Sequence, residues 1–144
     1  MNKAFIGFKV PLIGDASVGK TSIISRFMEN KFEDGAKPTV GAANVSITIN
    51  VEGQEIPINL WDTAGQERYR SLIPLYTRDT SLIIIVFSMD NLESFEHLPE
   101  WYQKVHDECK VDCPIFICGN KIDSENQHVN HEIATEWAAQ NNCQ

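Results

Sequence analysis

Apolar residues fall in two rhythms along this chain. Val45, Ile47, Ile49 and Val51 alternate with Asn44, Ser46, Thr48 and Asn50, the two-residue period of a half-buried strand. Glu52-Gly53 marks a turn, and Ile56 to Trp61 reads as the returning arm of a hairpin. Ser81 to Phe87 and Pro114 to Cys118 are mostly apolar, as strands covered on both faces are. A first strand is expected over Phe5 to Ile13. Pro11 conflicts with that reading, because proline has no N–H to give to a ladder, and Pro57 repeats the conflict in the hairpin. The second rhythm is helical. Ile23, Ile24, Phe27 and Met28 share one side of Thr21 to Met28. Phe95, Leu98, Trp101, Tyr102 and Val105 recur between Asn91 and Glu108, which predicts one helix there. Asn130 is placed to cap a last helix to about Gln140, with Ile133, Ala134, Trp137 and Ala138 inward. A short helix fits within Arg68 to Thr77, and Phe32 to Gly41, with Gly35 and Pro38, reads as a loop. Strands alternating with helices predict an α/β fold: a mostly parallel sheet with one antiparallel hairpin strand and helices on both faces.

Composition narrows the function classes. The 144 residues suit one domain spanning 1–144. A net charge of −8 argues against nonspecific nucleic-acid binding, though one local basic nest is enough for a phosphate. Cys109, Cys113, Cys118 and Cys143 fit no zinc or C-x-x-C spacing and read as free thiols of a reducing compartment. His128 and His131 have no further ligand nearby and read as solvated residues at a helix start. No leader segment is evident, and Leu82 to Phe87 is too short to cross a bilayer. Asn2 excludes N-myristoylation, and Asn-Asn-Cys-Gln at the end is not a prenylation box, so any membrane contact is expected to be indirect.

Three stretches carry chemistry. Gly14 to Thr21 reads G-x-x-x-x-G-K-T between an expected strand and an expected helix. Glycine lets the backbone approach an anion, and successive N–H groups at a helix N-terminus form a nest for phosphate. Asp15, Ala16, Ser17, Val18 and Gly19, with Lys20, Thr21 and Ser22, are therefore the phosphate-binding candidates. Lys20 would neutralise the β- and γ-phosphates, and the Thr21 hydroxyl would ligate Mg²⁺. Asp62-Thr63-Ala64-Gly65-Gln66 leaves the hairpin strand. Asp62 could hold Mg²⁺ through water, the N–H of Gly65 could approach a γ-phosphate, and Gln66 could orient an attacking water. Taken alone, this stretch reads better as an ordinary Asp-Thr turn after a strand. Asn120-Lys121-Ile122-Asp123 ends another strand and is the base-reading candidate. A buried Asp123 carboxylate would accept the N1 and N2 hydrogens of guanine, which adenine does not offer. Asn120 would tie this loop to the phosphate loop, the Lys121 stem would cover one ring face, and Phe32 could cover the other.

GDASVGKTS from Gly14, PTVGAA from Pro38, LWDTAGQERYRSL from Leu60 and GNKID from Gly119 together resemble a Ras-superfamily small GTPase with a P-loop NTPase fold. Trp61, the run Gln66 to Leu72 and Leu75-Tyr76-Thr77-Arg78 resemble the Rab type. The resemblance implies GTP and GDP as ligands with Mg²⁺, GTP hydrolysis, and a role in vesicle trafficking at the cytosolic face of endomembranes. It implies that Thr39, beside Pro38, ligates the metal and closes over the γ-phosphate, so that Lys20, Thr39 and Gln66 carry the hydrolysis. Segments around Thr39 and from Gly65 to Leu75 would then be switches, read by effectors, an exchange factor and a GTPase-activating protein through residues including Val40, Gly41, Trp61 and Tyr76. A monomer is expected. Departures carry expectations too. Ala16 and Ser17 occupy a pair of positions where the family often has Gly. A side chain at Ala16 could crowd Gln66 or an incoming arginine finger, which predicts slow hydrolysis, and Ser124 stands where the family usually has Leu. The family's last strand, C-terminal helix and lipidated tail are expected to be missing after Gln144. That would leave an apolar flank of the sheet and of the first helix bare and weaken the hold on the base. The competing readings are a shortened, non-cycling binding module and a P-loop ATPase or kinase, the latter disfavoured by Asp123.

Overall fold

A computed structural model describes residues 7–29, 42–63, 71–108 and 112–144. Its five strands are β1 (Phe8–Ile13), β2 (Ala42–Val51), β3 (Gln54–Thr63), β4 (Ile83–Ser88) and β5 (Ile115–Asn120), in the order β2-β3-β1-β4-β5. The β2–β3 pair is antiparallel and the other neighbours are parallel, as the sequence patterns predict. The helices are α1 (Lys20–Glu29), α2 (Ile73–Thr77), α3 (Leu92–Glu96), α4 (Leu98–Gln103) and α5 (His131–Gln140).

Both prolines sit inside strands, and in each the missing N–H falls where no ladder bond is needed. The β1–β4 register covers only Leu12 and Ile13, beyond Pro11. The Leu82 carbonyl, which that register sets beside residue 11, accepts instead from the Thr80 hydroxyl at 3.1 Å. In β3, the Pro57 carbonyl lies against Gly7 on the β1 side, so Pro57 turns its backbone polar groups away from β2. The β1–β3 register begins only at Phe8↔Ile58. The expected start of β1 at Phe5 lies outside the described residues.

The hairpin turns through Glu52 and Gly53, both at positive φ (51° and 84°), the geometry whose twist matches its strands. Two expectations need correction: the single helix from Asn91 to Glu108 and the inward-facing Ile133. The single helix expected from Asn91 to Glu108 is divided: α3 ends and α4 begins around His97, and a π-helical turn follows over Lys104–Glu108. The cause is Pro99, which fits only the first turn of a helix, so the helix restarts at Leu98 rather than running through. Phe27 and Met28 are exposed at 61% and 46%, so of the apolar side of α1 only Ile24 is fully buried. Ile133 on α5 is likewise 55% exposed, while Ala134, Trp137 and Ala138 pack inward as expected.

The sheet separates two apolar clusters. The larger lies beneath α2 to α5 and contains Ile85, Leu98, Trp101 and Val105, all essentially inaccessible. The smaller, under α1, is built on Val10, Leu12, Val18, Ile24 and Val86. The β5 edge is not bare throughout: the Gln144 N–H donates to Ile115 at 3.0 Å, and the Ile117 N–H donates to Gln144 at 2.9 Å. Cys113, Cys118 and Cys143 are free thiols whose burial pushes their pKa up, while Cys109 lies outside the described residues.

Candidate functional site

The carboxyl ends of β1, β3, β4 and β5 share one edge of the sheet, where loops can meet over a ligand. The loop after β1 is held close to its neighbour. Gly14 has φ +145°, and a Cβ there would lie 2.1 Å from the Val86 carbonyl oxygen, so only glycine fits. Beyond it the chain turns through Ser17 at φ +64° into α1, with Val18 fully buried as the anchor. Lys20 is buried, and its Nζ donates to the carbonyls of Gly14 at 3.0 Å and Asp15 at 2.6 Å. Burial lowers its pKa to about 8, against the pull of the Asp62 and Asp15 carboxylates. A cation is thus kept in a poorly solvated place that an anion would relieve.

Thr21 and Asp62 come together: the Thr21 hydroxyl donates to the Asp62 carboxylate at 2.6 Å, and Asp62 is buried at the end of β3. Thr63 fixes that end by donating its hydroxyl to the Leu12 carbonyl at 2.6 Å. These hydroxyl and carboxylate oxygens beside Lys20 are hard donors of the type Mg²⁺ prefers. Thr39, the other expected metal ligand, lies outside the described residues, as do Phe32, Pro38, Gly65 and Gln66.

The loop after β5 is bonded to the loop after β1. The Asn120 amide donates to the Val18 carbonyl at 2.9 Å, and the Lys121 Nζ donates to the Ser17 carbonyl at 2.9 Å. Gly19, at φ +100°, makes this approach possible, since a Cβ there would meet the Asn120 amide nitrogen at 2.2 Å. The Gln127 amide braces the far side of the loop through the carbonyls of Lys121 and Ser124. Between this loop and α1 opens a cavity of about 710 Å³, with Asn120, Lys121, Asp123 and Ser124 on one wall and Arg26 and Phe27 on the other. That volume suits a nucleoside-sized ligand. Asp123 departs from expectation: its carboxylate is exposed rather than buried. Its surroundings leave it open to water, so any desolvation must come from the ligand itself. Tyr76, expected on a partner-reading surface, is 8% exposed and packs against Trp61 with ring centroids 6.3 Å apart. Its neighbour Leu75 is 64% exposed instead. Val40 and Gly41 lie outside the described residues.

Two features were missed in the sequence. Phe27 and Arg26 line the cavity, although the sequence places Phe27 only on the apolar side of α1 and gives Arg26 no role. Asp15, expected only as a member of the phosphate loop, also binds the helical layer. Its carboxylate accepts from Trp101 Nε1 at 2.8 Å and pairs with His97 Nδ1 at 2.5 Å. A usable signal existed, because the indole N–H of a buried tryptophan needs an acceptor. A family model described as the Ras family matches residues 9–144.

Proposed function

The chain belongs to the Ras family of small GTPases, and we propose that it is a Rab-type guanine-nucleotide switch. In this reading it binds GTP and GDP with Mg²⁺, hydrolyses GTP slowly and serves vesicle trafficking at the cytosolic face of endomembranes. The observation that supports it best is the pair of bonds from Asn120 and Lys121 to Val18 and Ser17. They join a phosphate-type cradle to a cavity whose wall carries Asp123, so one ligand can engage both.

The residues then divide the work. Backbone N–H groups from Asp15 to Ser22 receive the phosphates, and Lys20 places its charge against the β- and γ-phosphates. Thr21, Asp62 and Thr39 would hold Mg²⁺, which neutralises charge building up on the phosphate oxygens. Gln66 orients the attacking water, and Ala16 slows the step by crowding it. Lys121 lays its stem along the base and Phe32 covers the opposite face, while Asp123 accepts the two guanine N–H groups. With the base in place Asp123 loses its water, and adenine would leave it unpaired at a cost of about 1–3 kcal/mol. Segments around Thr39 and Gly65 to Leu75 present the nucleotide state to effectors, an exchange factor and a GTPase-activating protein.

Titration of the nucleotide-free protein with fluorescent GDP, GTP and ATP, with and without Mg²⁺, tests this reading. Guanine nucleotides should bind at least about a hundredfold more tightly than ATP, and more tightly with Mg²⁺. No guanine binding, as for a non-cycling binding module, or a preference for ATP would overturn it.

A further inference from the structure

Asp15 is gripped from both ends. Its backbone carbonyl accepts from Lys20 Nζ at 2.6 Å, on the side of the phosphate cradle. Its carboxylate is held on the opposite side by the α3–α4 junction, through Trp101 Nε1 at 2.8 Å and His97 Nδ1 at 2.5 Å. The two holders differ in kind. Trp101 is 2% exposed and its indole does not titrate, so it binds one carboxylate oxygen at any pH. His97 binds the other oxygen from a side chain about one-third exposed, where solvent protons can reach it. Its backbone is fixed: the His97 N–H donates to Glu93 at 3.0 Å, and the His97 carbonyl accepts from Trp101 at 3.1 Å. The helix interruption before Pro99 therefore places an imidazole at a set point beside the phosphate loop.

We propose that His97 is a positioning residue for the phosphate loop, holding Asp15 most firmly as an imidazolium and so making nucleotide retention depend on pH. This rests on the guanine-nucleotide reading above. The charged groups facing the ring are Asp15 from the phosphate loop, Glu93 of α3, whose carboxylate is 3.9 Å from Nε2, and Glu100 of α4. All are carboxylates and all favour the charged ring. The hydrogen bond to Asp15 is the largest influence and raises the His97 pKa, with burial opposing it. A charge-assisted bond is roughly twice as strong as a neutral one, so loss of the proton loosens the hold on Asp15 without abolishing it. Because Asp15 also fixes Lys20, a looser Asp15 frees the loop that must open for the phosphates to leave.

The test is release of fluorescent GDP chased with excess GDP, from about pH 6 to about pH 9, compared between the wild type and His97→Gln. Wild-type release should quicken about fivefold toward alkaline pH. His97→Gln keeps a neutral donor and should release at the fast rate throughout, once any slope shared by both proteins is divided out. Equal slopes in both proteins would overturn the proposal. An NMR titration of the ring in the nucleotide-free chain, assigned by its loss in His97→Gln, works whether or not nucleotide binds. Its midpoint should lie above that of free histidine and fall in Asp15→Asn. A midpoint at or below that of free histidine would sink the proposal, whereas absent guanine binding would sink only the functional reading beneath it.

Discussion

The two ends of the candidate site are built to different degrees. At the phosphate end, Lys20, Thr21, Asp62 and Asp15 are already engaged with one another or with the backbone, and Lys20 and Asp62 are buried. At the base end, Asp123 is exposed, Ile122 is 78% exposed and Lys121 turns at φ +62° over an open cavity. Charge neutralisation needs preorganised partners, because a buried cation that must rearrange loses its advantage. Base selection needs only a rigid frame, since the base brings its own cover. The asymmetry predicts that changes at the phosphate end alter stability and binding together, and that changes at the base end alter selectivity alone.

The largest effect is expected at Lys20. Lys20→Met should weaken GDP binding by about a thousandfold, measured by fluorescent titration, since it removes a desolvated charge facing the phosphates. The same variant should stabilise the nucleotide-free protein by about 1–3 kcal/mol in urea denaturation, because keeping Lys20 charged while buried is costly. Burial lowers its folded pKa from 10.5 to about 8. Between those values the unfolded chain binds more protons than the folded one, so Lys20 makes wild-type stability rise with pH across that window. Lys20→Met should lack that contribution. A variant less stable than wild type would show that the Gly14 and Asp15 bonds outweigh the burial.

A smaller and purely selective effect is expected at Asp123. Asn in its place offers an N–H where guanine also offers one and suits the second carbonyl of xanthine. Asp123→Asn should lower GDP affinity about a hundredfold and favour xanthine diphosphate, with the urea midpoint unchanged because the side chain is exposed. A shift in that midpoint comparable to the loss in binding would mean that the base end is as tightly built as the phosphate end.

Periodicity revealed most of the fold, because each pattern was settled locally. Alternation in Asn44–Val51 and the apolar run ending at Phe87 left little choice of structure. What stayed hidden depended on partners distant in sequence. Phe27 belongs to a helical apolar stripe, yet its place in the cavity wall depends on the loop after β5, which lies far along the chain. Pro99 was in plain view, but the periodicity of Phe95, Leu98, Trp101 and Tyr102 continues across it and masks the break. In the site, the motifs located Lys20, Thr21, Asp62 and Asn120 because their chemistry is tied to spacing. The pairing of Asp15 with His97 and Trp101 spans more than eighty residues and follows no spacing rule.

The finest distinction lies within the phosphate loop, between neighbours that look equivalent in sequence. Ala16 and Ser17 are both exposed, but only Ser17 holds positive φ, at 64°. A non-glycine residue in that conformation costs about 1–2 kcal/mol, partly offset in a glycine variant by the freer unfolded chain. Ser17→Gly should therefore raise stability by about 0.5 kcal/mol and leave single-turnover GTP hydrolysis unchanged. Ala16→Gly has no such strain to release and should lose about 0.5–1 kcal/mol. Removing its methyl group should instead speed single-turnover hydrolysis, by opening room for Gln66 and the water it orients. The two substitutions thus move stability in opposite directions, and only one moves the rate. If both sped hydrolysis alike, the brake would lie in the stiffness of the loop as a whole rather than in the volume of one side chain.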